Sequence, residues 1–224
     1  MRTAETLIWL YLFMRKKQLL LIILAGFFIP SLYSQTTPDS ARAAREAAEN
    51  REISRHFGLN VGVWIPTGDL SVLGTHPNVG VIWGIRHKVH EFNVVLDFRF
   101  GKSKDPYVVS RAGTLYELDN YFGGYLGLDY IFYLAVGKRN DFGILAGLGY
   151  DGFTLNKDKV PAPPYEVGSF NFNTGIRFNW YTKGSTYFSF QPKYNIINYA
   201  NKGGTSFDGN AITLQLFVGT FGGL

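Results

Sequence analysis

Two histidines near the middle of the chain have the residue type and spacing of metal ligands. His87 and His90 are separated by two residues, and Glu91 follows directly. Imidazole nitrogen and carboxylate oxygen both bind zinc, but a metal site needs three or four converging ligands with hydrogen-bonded groups behind them. The sequence around these residues supplies no fourth candidate. We therefore interpret the three residues as part of a solvated turn, and we assign no metal ligand to the chain.

A third histidine stands near a hydroxyl and a carboxylate, which are the residue types of an acyl hydrolase. His76 follows Asp69 and Ser71 within a few residues. Acyl transfer requires a nucleophile, a base and an orienting group held within hydrogen-bond reach of one another. The spacing here predicts no such arrangement, so we assign no catalytic residue and expect no enzymatic activity.

The glycines Gly147, Gly149 and Gly152 have the spacing of a dinucleotide-binding loop. That motif works between a strand and a helix, where backbone N–H groups hold a pyrophosphate. Here the motif lies inside an alternating segment, and no helical pattern follows it. We interpret the glycines as small residues that make room for larger neighbours, and we predict no cofactor.

The composition excludes several further classes of function. The chain has 224 residues, a net charge of +5, 17% aromatic and 17% charged residues, 26 Gly and no Cys. Without Cys there is no disulfide framework, no thiolate metal site and no thiol nucleophile. Much of the positive excess comes from Arg2 and the cluster Arg15–Lys17 near the N-terminus. The rest is close to neutral, so we expect no nucleic-acid partner.

The first 34 residues have the order of a secretory signal peptide. The basic cluster Arg15–Lys17 precedes an apolar run from Leu19 to Phe28, and Ser34 offers a small residue before a cleavage point. We predict a signal peptide over residues 1–34, with Met14 as an alternative start of translation. An uncleaved membrane anchor is the other interpretation, but each apolar run alone is too short to span a bilayer.

Residues 35–56 differ from both of their neighbours. They are rich in Ala, Arg and Glu and have almost no apolar stripe. A helix without an apolar face does not pack into a core. We therefore predict a short periplasmic arm, helical or disordered.

From Phe57 onward the residues alternate with period 2, which predicts β-strands. About eight segments alternate, each near the length of 9–11 residues that a tilted membrane strand requires. The connections between them alternate in length, with long ones near 66–78, 101–115, 154–168 and 198–210 and short ones at 88–90, 137–140 and 182–185. Membrane barrels have short periplasmic turns and longer outer loops. The two patterns together predict an all-β fold, an eight-stranded antiparallel transmembrane β-barrel over residues 57–224.

The two faces of these strands differ in size and polarity. One face carries Phe, Leu, Val and Ile, and the other carries Gly, Asn and charged residues. The interior of an eight-stranded barrel is filled by side chains, so small residues there must leave room for large ones. We therefore expect the apolar face to contact lipid. Aromatic residues near strand ends are expected at the two membrane interfaces, and they are Tyr130, Tyr150, Trp180, Tyr181, Tyr187 and Tyr194.

By the same alternation, a set of charged residues faces the lumen. The set consists of Arg86, Asp97, Arg99, Asp129, Asp151, Arg177 and Lys193. Buried charges are costly unless they pair, so we predict a mutually paired plug in which Arg99 lies near Asp97, Asp129 and Arg177. The alternative is a narrow path for ions or small solutes, which the small diameter of an eight-stranded lumen disfavours.

The strand layout, the export segment and the first strand, which ends in the stretch Gly62–Leu70, resemble the small outer-membrane β-barrel proteins of the OmpA/OmpX and PorT-like type. The resemblance implies a cell outer membrane location, with outer-membrane lipid around the barrel. It also implies a protein partner in the envelope, and its PorT-like part implies that this partner belongs to a secretion or surface-assembly complex. We therefore expect a non-enzymatic surface or envelope scaffold, with a narrow small-solute or ion channel as the alternative.

Overall fold

The alternating segments form eight β-strands in the computed structural model, which describes residues 53–156, 159–160, 163–182, 185–199 and 201–223. The strands are β1 (Ser54–Gly68), β2 (His76–His87), β3 (His90–Arg111), β4 (Thr114–Val136), β5 (Asn140–Thr154), β6 (Glu166–Tyr181), β7 (Thr186–Asn198) and β8 (Asp208–Gly223). A short 3-10 helix, Asp69–Leu73, lies between β1 and β2. The predicted signal peptide over residues 1–34, and the arm up to residue 52, lie outside the described residues.

The eight strands close into one barrel. Each strand pairs antiparallel with the next, and β8 pairs antiparallel with β1. Closure leaves no unpaired sheet edge in the wall. The predicted eight-stranded antiparallel barrel is confirmed. Its first strand begins at Ser54 rather than Phe57, because the alternation continues backward through buried His56 and exposed Arg55.

The described residues contain no helix that is both long enough and apolar enough to cross a membrane.

The barrel has two unlike ends. The turns between β2 and β3, β4 and β5, and β6 and β7 are short and lie together at one end, which we call the turn end. The opposite end, the loop end, holds the connections β1–β2, β3–β4, β5–β6 and β7–β8. This sorting by length agrees with the prediction from the sequence, except at β3–β4.

The predicted long loop over residues 101–115 is instead mostly strand. β3 runs to Arg111 and β4 begins at Thr114, so a tight turn at Ala112 and Gly113, both with positive φ, joins them. The register of the pair shifts between Lys102 and Tyr107, where the residues Ser-Lys-Asp-Pro interrupt the ladder. The alternation resumes beyond this irregularity, which is how a β-bulge bends a hairpin without ending it. We call residues 103–118 the mouth hairpin.

The mouth hairpin lies across the loop end and is held from two sides. Val108 exchanges hydrogen bonds with Thr205 of the β7–β8 connection, the backbone N of Thr205 donating to Val108 O and the backbone N of Val108 donating to Thr205 Oγ1, both at 2.8 Å. On the other side, Arg111 Nε donates to the carbonyl oxygen of Pro164 in the β5–β6 connection at 2.8 Å. The hairpin therefore bridges two loops that the barrel circumference keeps apart.

Under the mouth hairpin lies the largest apolar core of the described residues. It is formed by Trp64, Leu70, Leu73, Tyr107, Val109, Leu118, Tyr121, Phe153, Leu155, Val160, Val167, Ile197, Tyr199, Phe207 and Ala211. Burial of this much apolar surface is what orders the connections of the loop end. The core closes the lumen at this end.

Along the wall, side chains alternate between outside and inside as predicted. Outward residues such as Leu59, Leu128 and Phe172 are exposed, whereas inward residues such as Asn60 and Asp129 are buried. Between the two ends, the outward positions of the described strands carry no charged side chain. The outer wall is therefore an uninterrupted apolar band.

Two of the six aromatic residues predicted at the membrane interfaces lie elsewhere. Tyr187 is fully buried inside the barrel, and the hydroxyl of Tyr181 donates to buried Asp141. The strand alternation explains both positions, since Tyr181 is in phase with inward Asn179 and Tyr187 is in phase with inward Ser189. Proximity to a strand end suggested the interface, but strand phase decides the side.

Candidate functional site

The candidate site is the lumen, which is packed with polar side chains in layers along the barrel. At the turn end, Glu91 on β3 and Arg177 on β6 form an ion pair with 3.0 Å between Oε1 and Nη1, and both side chains are almost fully buried. Tyr133 donates to Glu91 Oε2 at 2.7 Å, and His56 Nε2 lies 3.4 Å from Glu91 Oε1. Glu91 was predicted in a solvated turn, and that prediction was wrong. It is in phase with inward Asn93, so its side chain enters the barrel.

A second ion pair lies beside the first. Arg86 Nη1 donates to Asp141 Oδ2 at 2.5 Å and to the hydroxyl of Tyr181 at 2.7 Å. The guanidinium of Arg86 also lies 4.0 Å from the centre of the Tyr133 ring, a cation–π contact. Tyr133 therefore contacts both ion pairs and joins them into one cluster that fills the turn end of the lumen.

The middle layer contains two carboxylates with different partners. Lys193 on β7 donates to Asp129 Oδ2 on β4 at 3.3 Å. Asp97 on β3 instead accepts from two amides, Asn60 Nδ2 at 2.9 Å and Gln215 Nε2 at 2.8 Å. These bonds cross the lumen between strands that are not neighbours in the wall.

The layer nearest the loop end is centred on Arg99. Its Nη2 donates to Asp151 Oδ1 at 2.7 Å, and its guanidinium lies 4.7 Å from the Trp64 ring centre. Asp151 also accepts from the Tyr199 hydroxyl and, at 3.1 Å, from Asn171. This layer contacts the apolar core of the loop end through Trp64 and Tyr199.

All seven predicted lumen residues lie on the inward side, Arg86 being half-buried and the other six buried. The pairing differs from the predicted one. Arg99 contacts Asp151 rather than Asp97 or Asp129, and Arg177 contacts Glu91. Sequence reasoning missed three members of the set, which are His56, Glu91 and Asp141. Extending the alternation of β1, β3 and β5 by a few residues toward the turn end would have found them.

The glycines of the lumen leave the space that these side chains occupy. A Cβ added to Gly147 would lie 2.3 Å from Asp129 Oδ1 and 2.7 Å from Asn173 Oδ1. At the turn end, a Cβ on Gly84 would lie 1.9 Å from Asn93 Oδ1. The spacing that resembles a dinucleotide loop therefore belongs to a strand whose inward glycines face bulky polar groups.

Little empty space remains among these layers. A cavity of about 10 Å³ lies between Trp64, Asn78 and Arg99. That volume is near the lower limit for holding a single water molecule. Both polar atoms of the Asn78 side chain and Nη1 of Arg99 are buried there without a protein partner, so one water would satisfy several of them.

The other residues considered for chemistry lie apart from one another. His76 Nε2 donates to the carbonyl oxygen of Leu73 at 2.7 Å, and its ring stacks on Tyr121 with 4.3 Å between ring centres. His87 and His90 are exposed on the outer side at the turn end, while Glu91 points inward. Within the described residues, no group of three or more His, Asp or Glu side chains could hold a metal ion.

Outside the wall, one exposed ion pair connects the base of the mouth hairpin to the β5–β6 connection. Lys159 Nζ donates to Asp119 Oδ1 at 2.9 Å. The hydrogen bond and the charge of Lys159 hold the pKa of Asp119 below its usual value. Both side chains remain about half exposed, so the pair is screened by solvent.

Comparison with known proteins gives similarity at the level of structure only. No protein-family model and no curated protein matches the chain. Among solved structures, the chain is similar to Neisserial surface protein A (NspA), with 11% identity and a TM-score of 0.50 over 75% of this chain and 96% of that one. It is also similar to a major outer membrane protein from Thermus thermophilus, with 10% identity and a TM-score of 0.44 over 76% and 99% of the two chains. A further similar structure is the N-terminal β-barrel domain of Pseudomonas aeruginosa OprF, with 15% identity and a TM-score of 0.43 over 75% and 97%.

The chain therefore has the fold of the small eight-stranded outer-membrane β-barrel proteins. A shared fold leaves function to be argued from the site. Chemically, the site of this chain is a set of ion pairs and hydrogen bonds across a narrow lumen, in which some buried polar atoms, such as those of Asn78 and Nη1 of Arg99, have no protein partner.

Proposed function

We propose that this chain is an exported barrel of the cell outer membrane that conducts no solute, has no enzymatic activity and acts as a surface or envelope scaffold for a partner protein. The predicted signal peptide over residues 1–34 and the uncharged outer wall support export and membrane insertion. The outward apolar rows, such as Phe57–Ile65 on β1, are about nine residues long, which corresponds to a band about 24 Å tall for tilted strands. That height suits the apolar layer of an outer membrane.

The observation that carries the proposal against a channel is the filled lumen. Paired charges occupy three successive levels, the cavity beside Arg99 is only about 10 Å³, and the apolar core with the mouth hairpin covers the loop end. A solute path would require several buried ion pairs to break at once, and each broken pair leaves costly unpaired charge.

The mouth hairpin is the surface best suited to a partner. It is tied on two sides, so a partner that binds it loses little additional conformational entropy. Its tip exposes Leu115, which is 62% exposed, beside the polar residues Thr114 and Arg111. A partner that covers this exposed leucine removes its apolar surface from water, which favours association.

Conductance separates the scaffold from the channel. The full chain is refolded into a planar lipid bilayer and recorded at both polarities, with a general porin as the positive control. We expect no discrete conductance steps. Regular steps that change in ion selectivity on Arg99→Gln would overturn the proposal in favour of the channel.

Crosslinking tests the partner surface in cells. A photo-crosslinking residue is placed at Leu115, and a matched control is placed at Thr220, an exposed residue near the turn end. We expect a discrete crosslinked product at position 115 and none of the same size at 220. Equal labelling at the two positions, or none at 115, would contradict a scaffold role for the mouth hairpin.

A further inference from the structure

In the part of the chain that the structure describes, the turn end carries exposed positive charge without exposed negative charge. Arg55 on β1, Lys88 in the β2–β3 turn, and Lys138 and Arg139 in the β4–β5 turn are all exposed. The acidic residues of this end, Glu91 and Asp141, are buried and paired with Arg177 and Arg86. Among the described residues, no exposed Asp or Glu lies at the turn end.

The loop end differs in this respect. Basic and acidic residues are mixed there, as in Lys104 beside Asp105, and Lys159 paired with Asp119. The excess of positive charge is thus confined to one end of the barrel. Among the described residues, the exposed basic groups of this end lie on strands and turns from β1 to β5, which are consecutive neighbours in the wall.

These charges directly border the apolar band. Arg55 continues the outward row of Phe57 and Leu59 on β1, all three being exposed. On β3 and β4, His90 Nδ1 lies 2.7 Å from the Tyr130 hydroxyl. Phe92 is the next outward residue after His90 on β3. A row that passes from apolar through aromatic to basic residues matches the depth profile of a lipid leaflet, from acyl chain to headgroup.

The backbone holds the central charge in place. Lys88 adopts a positive φ of 55°, and Arg86 Nε donates to its carbonyl oxygen at 2.9 Å. Arg86 is itself fixed by the ion pair with Asp141. The position of Lys88 at the rim is therefore set by the same cluster that fills the turn end of the lumen.

From this arrangement we propose that the basic rim, Arg55, Lys88, Lys138 and Arg139, binds the phosphate groups of anionic phospholipids in the periplasmic leaflet. The inference rests on the proposed outer-membrane location of the barrel. Anionic headgroups attract basic residues at a membrane surface, and each basic residue raises the binding constant about fivefold. The attraction weakens as salt is added. The rim thus orients the turn end toward the periplasmic leaflet and selects anionic lipid there.

The test measures lipid selection by the full chain. Protein purified in a mild detergent is mixed with equal amounts of phosphatidylglycerol and phosphatidylcholine of identical acyl chains, and retained lipids are counted by native mass spectrometry. We expect a severalfold preference for phosphatidylglycerol that falls as salt is raised. The variant R55Q/K88Q/K138Q/R139Q should retain the two lipids about equally. The control variant K102Q/K104Q/K159Q/K202Q removes as many charges from the loop end and should keep the preference.

The outcomes separate this inference from the proposed function. Equal retention of the two lipids by the natural chain, or equal loss in the two variants, overturns the basic rim as a lipid site. Displacement of phosphatidylglycerol by inorganic phosphate beyond that caused by sodium chloride of equal ionic strength, or tighter binding of a soluble polyglutamate than of the lipid, overturns the choice of lipid as ligand. In a parallel flotation assay, a chain that fails to associate with vesicles contradicts the outer-membrane location itself, whereas a chain that floats without lipid preference contradicts the rim alone.

Discussion

Arg99 on β3 and Asp151 on β5 form an ion pair across β4, with 2.7 Å between Nη2 and Oδ1. Both side chains are 2% exposed. The pair therefore couples two strands that share no backbone hydrogen bonds, at a level where the lumen meets the apolar core of the loop end.

Removing one member of this pair should destabilise the barrel. Arg99→Met leaves the Asp151 carboxylate buried without its cation, and breaking a buried ion pair costs about 3–5 kcal/mol. Urea unfolding of the barrel in phospholipid vesicles, followed by heat-modifiable gel mobility, measures the loss. The double variant R99M/D151N should recover part of it, because the unpaired charge is then absent.

The control for that experiment is the exposed pair at the loop end. Asp119→Asn removes the partner of Lys159, whose side chain is about half exposed. We expect the unfolding midpoint to stay unchanged at neutral pH, since exposed pairs contribute little. An Arg99→Met barrel as stable as this control would contradict the role assigned to the lumen pairs.

Neighbouring residues at the turn end should respond very differently to substitution. Glu91→Ala removes the partner of buried Arg177 and of the Tyr133 hydroxyl, so we expect a loss of about 3–5 kcal/mol. His90→Ala, one residue earlier, removes an exposed ring and should have a small effect. The same unfolding assay compares the two. Similar small effects at both positions would indicate that the Glu91 side chain is solvated in the turn rather than buried in the barrel.

The glycines of the alternating strands should differ according to the side they face. Gly147→Ala places a methyl group 2.3 Å from Asp129 Oδ1, so the middle layer must shift. Overpacking of this kind costs about 1–3 kcal/mol. Gly124→Ala meets its nearest neighbour, Asp97 O, only at 3.4 Å and should be tolerated. If the two variants were equally stable in urea, crowding by Asp129 would not be the reason that a glycine occupies position 147.

A charge on the outer wall should be costly only where the wall meets lipid. Leu128 and Leu115 are both exposed leucines, at 57% and 62%, but Leu128 lies in the apolar band and Leu115 on the mouth hairpin. Leu128→Arg should cost about 2–4 kcal/mol if it sits near the bilayer midplane, whereas Leu115→Arg should be nearly neutral. Refolding yield and unfolding in vesicles measure both. Tolerance of Leu128→Arg, together with solubility without detergent, would contradict membrane insertion.

The sequence predicts the barrel well because the side chains of a strand alternate between its two faces with a period of two residues. Counting alternating segments yields eight strands, and the phase of each segment places residues such as Asp129 and Leu128 on opposite sides. Both conclusions depend only on neighbours within one strand. They need no knowledge of how the strands are aligned.

The lumen pairs could not be predicted in the same way, because they depend on alignment between strands. By register, Tyr125 of β4 pairs with both Asp97 and Asp151, yet the side chain that reaches Asp151 is that of Arg99. Neither the register nor the reach of a side chain across it is visible in the alternation of a single strand. Asp97, two residues before Arg99, accepts hydrogen bonds from the amides of Asn60 and Gln215 instead. The mouth hairpin was missed for a related reason. Pro106 and the lysines before it are typical of a loop, but the pairing of β3 with β4 continues from Tyr107 onward.

The pairing of β1 with β8 sets the order in which the barrel can assemble. β1 pairs with β8 along its whole length of 15 residues, from Ser54 with Gly223 to Gly68 with Gly209. Contacts between the first and last strands have the highest loop-closure cost in the chain, so this pairing forms late. Until it forms, two strand edges have unpaired N–H and C=O groups, which hydrocarbon does not tolerate. Insertion is therefore coupled to closure: the edges of β1 and β8 must stay out of the hydrocarbon, or be covered, until the two strands pair.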